Sequence, residues 1–343
     1  MLPSGEKPRS TKEAESPAHR TDALTIKNPD KTRKVRLKRI QVLPLYEYRH
    51  IIKTLEKNRR YSYAQYMTLS ARNNVFKLGI ALSLLCLLIC VFASTKVIPV
   101  YPSMEGEITR RSGSVFQVFV EKYFAANLLA AHCCVLALVL FSFFSMILTY
   151  YSFEKTQAPE ILFIVFFAAS FSVETLRLSL PLGWIYEIPP LYVLMASRII
   201  LFGRYFGIFS LFTASVYAVG FNAQKQRNVV MIIMVTTLII TLGVPIDTQI
   251  WDSSLNMING YVSMFRLIEV GTFLITTMSF FIAAWLRSSR EFVFIGVGSI
   301  LAFLGRYILL NADTWAILPA GLLFLVVGTW LICTRLHRIY LWL

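Results

Sequence analysis

The chain has 343 residues, of which 56% are hydrophobic and 15% charged, with 34 Lys+Arg against 19 Asp+Glu for a formal charge of +15. Soluble globular chains carry roughly a quarter charged residues, so this composition excludes an ordinary soluble domain, a disordered chain and a disulfide-stapled secreted scaffold. The basic excess would suggest nucleic acid until the charges are located: residues 1–76 hold 17 Lys/Arg against 7 Asp/Glu, +10 of the total.

Residues 1–35 mix Pro, Ser, Thr, Lys and Glu with few large apolar groups and read as a disordered basic cytoplasmic tail. A dense run over Thr32–Arg39 supplies Arg33, Lys34, Arg36, Lys38 and Arg39. Beyond Pro44, the residues Leu45, Tyr48, Ile51, Ile52 and Leu55 recur at helical spacing, with Arg49 and Lys53 on other faces. That pattern predicts an amphipathic helical segment over 36–76, lying on the inner membrane surface. Anionic lipid headgroups would hold each such basic side chain by about 1 kcal/mol. Docking of a cytoplasmic protein partner on this head is the competing use. No recognition fold accompanies the charge, so specific nucleic-acid binding is not expected.

A helix needs about 20 apolar residues to cross a ~30 Å hydrocarbon layer. Eight stretches qualify: 77–97, 125–149, 160–180, 190–220, 229–247, 261–286, 292–310 and 315–334. They predict an all-α fold, a polytopic transmembrane helix bundle ending in a short tail, 335–343. Pro159, Pro189 and Pro190 fall at span starts, where a missing N–H costs little. Only Pro319, early in the eighth span, threatens a helix interior, and a kink there is tolerable if a neighbour satisfies the freed carbonyl.

The connections alternate in charge. Lys155, Lys225 with Arg227, Arg287 with Arg290, and Arg335 with Arg338 flank one side. On the other side Trp184–Pro190, Asp247–Asn259 and Asn311–Thr314 carry acidic residues and no basic one, the 98–124 loop being the exception. Lys and Arg concentrate on the cytoplasmic side, so both termini are expected there, in a multi-pass protein of the cell membrane.

Seven ionisable groups fall inside the spans: Glu174 and Arg177 in the third, Arg198 and Arg204 in the fourth, Arg266 and Glu269 in the sixth, and Arg306 in the seventh. Each costs at least ~2.5 kcal/mol at a helix centre on insertion scales, so each should face the bundle and find a partner. At 1.5 Å per residue, all but Arg204 fall within about 13 Å of the outer boundary. Convergence on one outward-facing polar cluster explains that level better than independent placement. Five Arg against two Glu leave guanidinium capacity that could grip a carboxylate or phosphate. The cluster is therefore an expected pocket for an anionic ligand, lipid headgroup or peptide, with Glu174 and Glu269 holding the arginines. Static interhelical clamping, in which Arg198 and Arg306 snorkel outward, is the competing reading.

Gly203-Arg204-Tyr205 recurs as Gly305-Arg306-Tyr307, each following a span with a Glu/Arg pair, as an inverted repeat of a transporter would. All five cysteines lie in spans, and Cys86, Cys90, His132, Cys133 and Cys134 are explained by packing as well as by metal. No catalytic triad, phosphate loop or metalloprotease motif appears. Neither an enzyme, nor a cofactor, nor a metal site is expected. The readings that remain are a receptor-like or scaffolding bundle, a transporter of a small anion, and a structural subunit of a membrane complex.

Overall fold

The computed structural model describes residues 69–104, 124–154, 156, 158–221 and 226–341. The basic head, with Arg33, Lys34, Arg36, Lys38, Arg39, Arg49 and Lys53, lies outside the described residues. Helices α1 (Leu69–Val97), α2 (Tyr101–Met104), α3 (Leu128–Phe153), α4 (Pro159–Ser170), α5 (Ser179–Ile185), α6 (Pro190–Val219) and α7 (Gln226–Gly243) come first. A two-stranded ribbon, β1 (Ile246–Trp251) and β2 (Met257–Asn259), separates them from α8 (Val262–Leu286), α9 (Arg290–Leu310) and α10 (Ile317–Leu341). Among the described residues, eight of the resulting rods are long and apolar enough to cross a membrane, α4 and α5 joining into one over Pro159–Ile185. Their outer surface is apolar, with Leu78, Leu85 and Phe92 on α1 and Leu267, Leu274 and Met278 on α8 all exposed.

Most boundaries fall within a few residues of the expected spans. The largest difference is α1, which begins at Leu69 rather than 77. The added turns carry Arg72, whose Nη2 donates to the Phe153 and Glu154 carbonyls at 3.0 Å each. A cation there satisfies carbonyls that the end of α3 leaves unpaired. Pro319 does not fall in a helix interior: α10 starts at Ile317, which leaves that proline in a first turn whose N–H groups have no intrahelical acceptor.

The third rod is the centre of the bundle: 78% of its apolar window is buried, against 17% for the first. It is not a continuous α-helix. Phe171–Leu178 is a 3₁₀ segment between α4 and α5. Two local causes are in the sequence. Pro181 has no N–H to give the Arg177 carbonyl. Ser170 and Ser172 donate from Oγ to the Phe167 and Ala169 carbonyls, each at 2.7 Å, drawing on carbonyls of the helix itself. A 3₁₀ turn has three residues, so side chains at i and i+3 eclipse. Phe171, Glu174 and Arg177 therefore form one stripe, and all three are buried.

Helices α9 and α10 pack through glycine. A Cβ on Gly305 would stand 2.3 Å from the Leu325 backbone nitrogen, and one on Gly328 equally close to that of Ala302. Small residues of this kind let two helix backbones approach closely and pack by van der Waals contact. Gly305→Ala should lower the thermal unfolding midpoint of the detergent-solubilised protein, by a cost of about 1–3 kcal/mol. Gly271→Ala, where the added Cβ meets nothing within 4 Å, should leave the midpoint unchanged or raise it. Equal behaviour of the two variants would contradict this packing.

Candidate functional site

Four of the spans bring charge to the end of the bundle that carries the β1–β2 ribbon. The strongest link is between Glu174 and Arg204. Arg204 donates from Nε to Oε1 at 2.8 Å and from Nη2 to Oε2 at 2.7 Å, a two-bond fork. Glu174 also faces the Arg177 Nη1 at 3.5 Å, its neighbour on the 3₁₀ stripe. Arg306 donates from Nη2 to the Arg204 carbonyl at 3.1 Å, and its Nη1 lies 3.9 Å from Glu269. Glu174, Arg177 and Arg306 are each 1% exposed or less.

Five of the seven groups thus form one connected chain: Arg177, Glu174, Arg204, Arg306 and Glu269. The partners differ from those that sequence spacing implies. Glu269 pairs across helices with Arg306, not with Arg266 three residues away. Arg204, which the residue count sets deeper than the rest, is the hub. Side chains lean toward the N-terminus of their own helix. Glu174 and Arg204 lie on rods that run in opposite directions, so each leans toward the other's level.

Arg266 is exposed on the wall of the same cavity, and it makes no hydrogen bond or ion pair among the described residues. Arg198 stands apart. Its Nη1 donates to the Thr241 and Leu242 carbonyls at 3.0 and 2.9 Å, capping the last turn of α7. That contact matches the preference of a cation for a helix C-terminus.

The ribbon supplies the residues that sequence reading passed over. Its turn is closed by the Asp252 N–H to the Asn256 carbonyl at 2.8 Å and the Leu255 N–H to the Asp252 carbonyl at 2.9 Å. Asn256 accepts from Arg204 Nη2 at 2.7 Å and donates to the Leu310 carbonyl at 3.3 Å. Arg177 Nη2 donates to the Ser254 carbonyl, and to that of Leu310 at 3.1 Å. Ser253 donates to Asp313 at 2.6 Å. The turn is thereby tied to α6, to the 3₁₀ segment and to the connection after α9.

Leu255 is its anchor. It is fully buried, in a cluster with Cys90, Ala93, Ala131, Val135, Val139 and Leu178. Its φ of 59° is left-handed, uncommon for a residue without a polar side chain and sustained only where surroundings over-determine it. An Asp-Ser-Ser-Leu-Asn run is rich in turn formers, which was the available signal. Nothing in the run announced that its one leucine enters the core.

A cavity of about 350 Å3 adjoins this network, lined among others by Arg204, Tyr205, Phe265, Arg266, Glu269, Arg306 and Tyr307. Its volume falls in the range of small-molecule sites. The cluster thus divides into an inner clamp, in which buried Arg177 and Glu174 meet half-buried Arg204 and Asn256 at the cavity's edge, and a wall on which Arg266 and Glu269 are accessible in front of buried Arg306. Elsewhere, His132 is bonded on both ring nitrogens, to Ser94 at 2.7 Å and Tyr101 at 3.0 Å. No group of three His, Cys, Asp or Glu suited to a metal ion occurs among the described residues. At the opposite end Glu160 accepts from Tyr340 at 2.8 Å, and Glu291 faces Arg335 at 3.1 Å.

No protein-family model, curated protein or solved structure matches the chain.

Leu255→Ala removes the anchor while leaving every polar tie in place. It should destabilise the protein by about 2–5 kcal/mol and make the 252–256 turn cleavable by an added protease. An unchanged melt with a resistant turn would show that the leucine is not what holds the ribbon.

Proposed function

We propose that the chain is a multi-pass integral protein of the cell membrane with both termini cytoplasmic, whose cavity at the ribbon end receives an anionic ligand or the anionic part of a partner from outside. Its action is receptor-like or scaffolding. The observation that carries this reading is the guanidinium of Arg266: exposed at the cavity, with neither ion pair nor hydrogen bond among the described residues. A carboxylate or phosphate entering there would gain a bidentate partner, with Arg306 behind it. The orientation rests on Lys and Arg flanking one set of connections and acidic residues the other. Basic residues of the head, including Arg33, Lys34, Arg36, Lys38, Arg39, Arg49 and Lys53, then face anionic lipid headgroups or a cytoplasmic protein.

Transport of a small anion is the second reading, and one observation favours it. Arg204-Tyr205 and Arg306-Tyr307, the two halves of the sequence echo, line one cavity. Related halves meeting at a substrate site are the mark of an inverted-repeat transporter.

One experiment addresses both. In sealed liposomes holding the full-length protein, inorganic phosphate should bind saturably from the face opposite an N-terminal tag. Arg266→Gln should weaken that binding at least tenfold. Equal binding by the variant, or access only from the tagged face, would contradict the proposal. Accumulation of labelled phosphate inside the vesicles would favour the transporter; binding without flux would favour the receptor.

A further inference from the structure

The wall of this cavity is not uniformly basic. Glu269 projects from α8 three residues after Arg266, and both line it. Its side chain is 23% exposed, its nearest cation is Arg306 Nη1 at 3.9 Å, and it accepts no hydrogen bond among the described residues. That separation is beyond hydrogen-bond range. A carboxylate in this setting keeps open acceptor sites. Glu174 presents the contrast, both of its oxygens being occupied by Arg204.

Aromatic rings stand beside this carboxylate. Tyr205 and Phe265 line the same cavity with centroids 5.8 Å apart, and Tyr307 adds a third ring. Ring faces attract cations, and an ammonium near two or three of them is held more firmly when water is excluded. A purely anionic ligand would meet repulsion from Glu269 and would leave these rings unused.

We infer that the ligand is a zwitterion: an anionic group on the exposed Arg266, with buried Arg306 behind it, and an ammonium group between Glu269 and the aromatic wall of Phe265 and Tyr205. This rests on the proposed binding reading and narrows its ligand class. Spacing narrows it again. The side chains of Arg266 and Glu269, three apart on one helix, leave the backbone about 4.5 Å apart along its axis. A phosphate and an ammonium joined by an ethylene bridge span such a gap, whereas the adjacent carboxylate and ammonium of an α-amino acid fall short of it. The chemistry is that of a phosphoethanolamine or phosphocholine group, and its source is a lipid headgroup or a free solute.

The test compares binding of inorganic phosphate, phosphoethanolamine and glycine by the full-length protein in detergent micelles. Wild type should prefer phosphoethanolamine over phosphate at least tenfold, and over glycine by more. Glu269→Gln should abolish the preference over phosphate. Phe265→Leu, which leaves the Glu269–Arg306 contact in place, should reduce it several-fold and serves if the first variant does not fold.

A preference for phosphate alone, or one that survives both substitutions, would overturn the zwitterion while leaving anion binding intact. Failure of all three probes in the micelles, and of zwitterionic lipid in the second arm, would overturn the binding reading itself. In that arm the protein sits in nanodiscs of phosphatidylethanolamine or of phosphatidylglycerol. Weaker uptake of soluble phosphoethanolamine in the former identifies the lipid headgroup as the occupant. Equal uptake in both identifies the free solute. Both results support the inference.

Discussion

The arrangement at the ribbon end depends on one buried contact, the fork between Arg204 and Glu174. Neither charge could stand in an apolar interior alone. Removing one partner of a buried pair leaves an uncompensated ion, at a cost of about 3–5 kcal/mol. The pair is set by two features of the chain: the 3₁₀ segment, which turns Glu174 and Arg177 onto one buried stripe, and Gly203, which lets α6 close on Val173. A Cβ at Gly203 would meet the Val173 side chain at 3.1 Å, so the glycine before the arginine helps bring that arginine within reach of its carboxylate.

From that contact the rest of the end is organised outward. Arg204 Nη2 holds Asn256, and its carbonyl receives Arg306, so one residue touches both the ribbon and α9. Leu255 then seals the turn into the apolar cluster beneath it. Polar ties set the position of the turn, and the burial of Leu255 adds an apolar anchor to them. The tightest pairing in the clamp is Arg204 with Glu174. Arg177 Nε and Nη1 stay buried without a hydrogen-bond partner among the described residues, and the exposed capacity lies on the cavity wall at Arg266 and Glu269. The charges within the apolar rods therefore fall into two groups, those hydrogen-bonded within the protein and those, Arg266 and Glu269, that accept or donate no hydrogen bond among the described residues.

Much of the scaffold was legible in the sequence, because an apolar stretch of span length is a strong local signal. All eight rods follow from it, with α1 extended by two turns that Arg72 ties to α3. The gathering of charge was legible too, since ions in apolar rods must find each other. Its wiring was not. Spacing of three residues implies Arg266 with Glu269 and Glu174 with Arg177, yet cross-helix partners win at Glu174 and Glu269 because the lean of a side chain shifts its head by a turn. Arg198 was drawn into the cluster by its depth, whereas the last carbonyls of α7 are nearer to it. The 246–259 connection, counted only for its charge, supplies the pieces that join the helices, and no periodicity marks a residue such as Leu255 whose partners come from elsewhere in the chain.

The central claim is that Glu174 and Arg204 act as a unit. A double-mutant cycle of Glu174→Gln and Arg204→Gln, read by reversible unfolding in micelles, measures that directly. Each single substitution should cost about 3–5 kcal/mol and the double much less than their sum. Costs that add to within about 0.5 kcal/mol would mean that the two residues are independent and that something else holds this end of the bundle together.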